Sequence, residues 1–130
     1  MKIMSKIWTG SLAVALAIGL NSCYYDQVLP APPPDFSDSP VLFSADIQPI
    51  FNANCTTSGC HSGNIAPNLL AANSYNNLKN GNYINTTTPE SSELYLWMTG
   101  KKSLPMPPAG PNSENNAKVL AWIKQGALNN

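Results

Sequence analysis

The stretch Cys55-Thr56-Thr57-Ser58-Gly59-Cys60-His61 gathers two of the chain's three cysteines and its only histidine into one short run. Immediately upstream, Phe43-Ser44-Ala45-Asp46-Ile47-Gln48-Pro49-Ile50-Phe51-Asn52-Ala53-Asn54 leads into it. Ile47, Ile50 and Phe51 recur at i, i+3 and i+4, one apolar stripe of a short amphipathic helix. Ser44 is placed to serve as N-cap, Asp46 suits the positive end of the helix, and Pro49 is tolerated within the first turn. The spacing therefore predicts a helix that delivers the chain directly into Cys55.

Helical periodicity continues beyond the run. Residues 63–67 read as loop, Leu69-Leu70 as an apolar patch, and Ser74-Tyr75-Asn76-Asn77-Leu78 as a single helical turn ended by Gly81. In Thr88-Pro89-Glu90-Ser91-Ser92-Glu93 a helix starts, capped by Ser91 or Thr88, and places Leu94, Trp97 and Met98 on one stripe before Gly100 stops it. Leu104-Pro105-Met106-Pro107-Pro108 cannot be helical, because three prolines surround one methionine. A closing helix is expected from Asn112 or Ser113 to about Leu128, with Leu120, Ile123 and Ala127 on one face and Val119 and Trp122 beside it. No alternation of period two persists and no segment repeats, so the expected class is all-α with long connecting loops.

The N-terminal part has a different composition. Lys2 and Lys6 precede an apolar run from Ile7 to Leu20, which reads as a secretory signal over residues 1–22. Leu20-Asn21-Ser22-Cys23 resembles a bacterial lipobox, which implies lipidation of Cys23 and a mature chain tethered by acyl chains. Residues 23–42, with Leu29-Pro30-Ala31-Pro32-Pro33-Pro34-Asp35 at their centre, read as an extended Pro-rich linker, and residues 43–130 as the folded domain. Without the signal, five lysines face seven carboxylates, a formal charge of −2, and there is no arginine. A weakly acidic surface lacking the bidentate phosphate fork argues against nucleic acid as a partner. Twelve prolines and eight glycines leave room for only short helices, and so small a core gains from a covalent staple or a large apolar cofactor.

Three chemistries can be written for Cys55, Cys60 and His61. Structural zinc asks for about four Cys or His ligands, and the exported domain has three. A Cys55–Cys60 disulfide suits an oxidising compartment but leaves the adjacent histidine without a role. Two thioether bonds to haem vinyl groups with the imidazole on iron employ all three residues, although the usual spacing is C-x-x-C-H and here it is C-x-x-x-x-C-H. Thr56, Thr57, Ser58 and Gly59 are small enough to form the looser loop this needs. With one histidine, the sixth ligand falls to a methionine, another group, water or none. Met98 sits at a helical apolar position, as core filler does. Met106, 45 positions after His61, is held extended by its prolines, so little conformational freedom is lost in presenting its thioether. Leu69, Leu70, Tyr75, Leu78, Leu94 and Trp97 are candidate pocket walls, and Pro67 is a candidate to offer its carbonyl to His61 Nδ1. Lys101 and Lys102 are candidates for pairing with an anionic group or an acidic docking site.

From Phe43 to Asn130 the chain resembles class I c-type cytochrome domains, in particular those on lipoproteins of Bacteroidota-like bacteria. The features that carry the resemblance are the helix entering the Cys-Cys-His element, the Met-bearing Pro-rich loop, and the closing Leu120-Ala121-Trp122-Ile123 followed by Gly126-Ala127. It implies one covalently bound haem c per chain, held by Cys55 and Cys60 and ligated by His61 and Met106. It further implies single-electron transfer instead of catalysis, and transient docking with redox proteins. The location implied is the cell envelope, on the periplasmic side of the outer membrane. The rival expectation is a non-haem lipoprotein module with a Cys55–Cys60 disulfide; a haem-based ligand sensor is a third if Met106 does not ligate.

Overall fold

The computed structural model describes Leu29, residues 31–104 and residues 106–130. The signal-like segment and Cys23 lie outside the described residues. The chain divides into Met1–Ala31 and Pro32–Asn130, and the second unit carries all the described helices. These are a π-helical turn Phe43–Ile47, α1 (Gln48–Asn54), α2 (Ser74–Asn80), a 3-10 turn Pro89–Ser91, α3 (Glu93–Met98) and α4 (Ser113–Lys124). Among the described residues there is no strand, as the absence of period-two patterning requires, and no helix is long and apolar enough to cross a membrane.

The first helix starts differently from the expectation that Ser44 caps it. A wide turn opens it, with Ile47 N–H donating to the Leu42 carbonyl at 3.3 Å and Gln48 N–H to that of Phe43. The orphan amides are met from the far end of the domain: Asn130 accepts from Phe43 N–H through Oδ1 at 2.9 Å and from Ser44 N–H through its carbonyl at 2.9 Å. Asp46 reaches back to Leu42 N–H at 2.8 Å. Pro49 sits in the first turn of α1, where its missing amide costs nothing.

Ile47, Ile50 and Phe51 are all buried, as their stripe predicts. Phe43 lies at the hub, its ring centroid 5.2 Å from Trp122, 5.3 Å from Tyr75 and 6.3 Å from Phe51. The buried face of α4 is rotated from the expected one: Val119, Trp122 and Ile123 are inside with Asn116, whereas Leu120 is half-buried. This helix starts under the Asn112 cap, which accepts from Asn115 N–H, and stops at Lys124, four residues early. Gly126 adopts φ +98°, and Ala127 N–H returns to the Trp122 carbonyl, a left-handed termination that turns Ala127 into the core. The α3 start also departs from expectation, since neither Thr88 nor Ser91 caps it; Ser92 flanks it with its hydroxyl engaged by Asn85 N–H.

Residues 36–42, read as linker from composition, are held to the helical unit. Gln125 accepts from Val41 N–H at 2.8 Å and donates to the Ser39 carbonyl at 2.9 Å, and Val41 is buried in the core. A buried side-chain amide ties α1 to Leu69 and to the start of α2. Gln48 Nε2 donates to Asn52 Oδ1 and to the Leu69 carbonyl at 3.0 Å, while its Oε1 accepts from the Ser74 hydroxyl. Replacing Gln48 by Leu preserves volume but strands the Ser74 hydroxyl and Leu69 carbonyl, so it is expected to cost about 1–3 kcal/mol. A urea denaturation midpoint unchanged from the parent would show that this network does not bear on stability.

Candidate functional site

Helix α1 ends by bifurcation: Cys55 and Thr56 N–H both point at the Phe51 carbonyl, at 2.8 and 3.1 Å. His61 N–H then returns to the Cys55 carbonyl at 3.0 Å, so both ends of the Cys55–His61 loop are fixed to each other and to the helix. Leu69 N–H donates to the His61 carbonyl at 2.8 Å, which folds residues 62–68 back over the imidazole. Within that fold His61 Nδ1 faces two carbonyl oxygens, Pro67 at 3.1 Å and Ile65 at 3.3 Å. Both are acceptors only, so Nδ1 must carry the proton. In the neutral ring this tautomer leaves the lone pair on Nε2, the atom through which an imidazole so held ligates a metal, and Pro67 is in the place read for it from the sequence.

Cys55, Cys60, His61 and Met106 all line one cavity of about 420 Å³, within the ~300–1,000 Å³ range of small-molecule and cofactor sites. Of the candidate walls, Leu69, Leu94 and Trp97 border it. Leu70, Tyr75 and Leu78 do not: Leu70 is exposed, Leu78 is fully buried, and Tyr75 packs on Phe43. Met98, read as core filler, is buried and also borders the cavity, so two thioethers are present at it. Tyr83, Ile65, Ala66, Pro107 and Pro108 add to the wall and had no signal of their own in the sequence. Tyr83 can lie there because Gly81, at the end of α2, has no Cβ to strike its ring.

Among the described residues, no Asp, Glu, Lys or Arg is on the lining. Lys102 is instead paired with Glu93 at 2.8 Å, and Lys101 Nζ lies 5.9 Å from the centre of the Tyr95 ring. Among the described residues, too, no three His, Cys, Asp or Glu side chains converge on a point where they could share one ion. Cys55 and Cys60 are both free thiols. Burial, and after it the nearby Cys60 sulfur, pushes the Cys55 thiol up to about 11.

No protein-family model, curated protein or solved structure matches the chain.

A thiol with its pKa raised this far is almost wholly protonated at pH 8, and only the thiolate is a nucleophile. Iodoacetamide is therefore expected to modify Cys55 slowly in the folded protein, with a rate that still rises between pH 9 and the region of pH 11. Peptide mass analysis of timed samples measures it, and a rate already level at pH 9 would contradict the burial argument.

Proposed function

We propose that the domain is a monohaem c-type cytochrome that carries single electrons in the cell envelope. The observation that carries this reading is the common cavity: two thiols, a tautomerically fixed imidazole and a thioether border one uncharged, largely apolar space. The residues fit the group. A large apolar disc needs attachment at separated points and exclusion of water, and the cavity offers both thiols within a largely apolar wall.

In this reading Cys55 and Cys60 would hold the haem covalently, and His61 Nε2 and the Met106 thioether would be its protein ligands. The haem supplies the ferric–ferrous couple. The protein's part would be to orient His61 through the Pro67 carbonyl, which in the neutral ring sets the proton on Nδ1 and strengthens Nε2 as a donor. Leu69, Leu94 and Trp97 would keep water away, and methionine ligation in place of a second histidine would raise the reduction potential. Among the described residues no carboxylate lines the cavity, and His61 is consumed as ligand, so the domain is assigned transfer of electrons and no bond chemistry. Lipidation of Cys23, attachment to the periplasmic side of the outer membrane, and transient docking with redox proteins belong to the same proposal.

Expression with a c-type maturation system is expected to yield protein whose haem spectrum survives acidic organic extraction. Folded, colourless protein would refute the reading and favour the disulfide module. In the loaded protein, Met106→Ala should abolish the weak sulfur-to-iron absorption near the red end of the visible spectrum. Retention of that band would assign the ligand to Met98.

A further inference from the structure

The spacer between Cys55 and Cys60 is two residues longer than the usual one, and the structure takes up the excess in a turn that closes on itself. Cys60 N–H donates to the Thr57 carbonyl at 2.9 Å, and the Thr57 hydroxyl donates to Cys60 Sγ at 3.3 Å. Gly59 makes the reversal with φ +83°, and nothing stands within 4 Å of where a side chain on it would begin. Thr57, Ser58 and Gly59 are exposed, with Gly59 also at the rim of the cavity. Outside the turn, the 3.0 Å bond from His61 N–H to the Cys55 carbonyl clamps the loop's ends. The two sulfurs are therefore supported differently. Cys55 belongs to the end of α1, whereas Cys60 follows the exposed turn, its sulfur bonded by the Thr57 hydroxyl.

We propose that Thr57 is a positioning residue for covalent attachment at Cys60, an inference that rests on the haem reading. Attachment adds the thiol S–H across a vinyl double bond. A carbon–sulfur bond forms at the carbon next to the ring, the proton passes to the terminal carbon, and no electrons are gained or lost, provided the sulfur is reduced. Thr57 touches neither the vinyl group nor the iron; it selects one rotamer of Cys60 from those the longer spacer would otherwise allow.

The test compares the full chain with Thr57→Val and Thr57→Ser, each expressed with the same maturation system. Valine keeps the β-branch and volume and removes only the hydroxyl, and the site is exposed, so folding should be unaffected; far-UV circular dichroism of the apoprotein checks this. The denatured haem protein is treated with iodoacetamide and mapped by peptide mass, and its spectrum is taken in alkaline pyridine. The parent is expected to be protected at both cysteines. Thr57→Val should hold haem through Cys55 while Cys60 becomes alkylated, with the visible band shifted to the red because one vinyl group stays conjugated. Thr57→Ser should restore both protections and the band. A Thr57→Val protein protected at both cysteines, with no red shift, overturns the proposal while leaving the haem reading intact. A colourless parent protein overturns the haem reading itself, and this proposal with it.

Discussion

The domain depends on Phe43. Its ring meets Trp122 of α4, Tyr75 of α2 and Phe51 of α1, so three helices distant in sequence are referred to one side chain. Such rings contribute through buried area and through edge-to-face geometry that tolerates little rotation. The consequence for the site is direct. Phe51 is fixed by this cluster, and its carbonyl receives both Cys55 and Thr56 amides, so the packing of the core decides where the first thiol leaves the helix.

Short helices and long loops usually give imprecise sites, because loop backbone polar groups find water as readily as each other. Here the loop from Cys55 to Leu69 is tied by main-chain bonds at Cys55, Cys60, His61 and Leu69. The Gln48 amide adds a tie to the Leu69 carbonyl from inside. Each bond is modest alone, about 1 kcal/mol net. Together they hold the imidazole between two carbonyls in one tautomer, which a loop of this length would not otherwise maintain.

Much of this was legible in the sequence because it is local. The Ile47, Ile50, Phe51 stripe, the start of the last helix at Asn112 or Ser113 and the proximity of Cys55, Cys60 and His61 are set by neighbours within a few positions. So is the choice of Pro67 as the partner of His61. What was missed is non-local. Asn130 caps a turn 87 positions away, and Gln125 holds residues that composition assigned to a linker. Leu70 and Leu78 were indistinguishable from Leu69 and Leu94 as apolar residues, and only packing decides which two face the cavity. Met98 was read as core on its helical spacing, which is correct for burial; the same side chain also borders the cavity.

The capping of Phe43 and Ser44 by Asn130 also bears on the order of folding. A contact closing this long a stretch of chain carries a large loop-closure entropy, and its amides stay unsatisfied by protein until nearly all of the domain has assembled. The turn Phe43–Ile47 that opens the first helix is thus completed only by a residue from the far side of the domain.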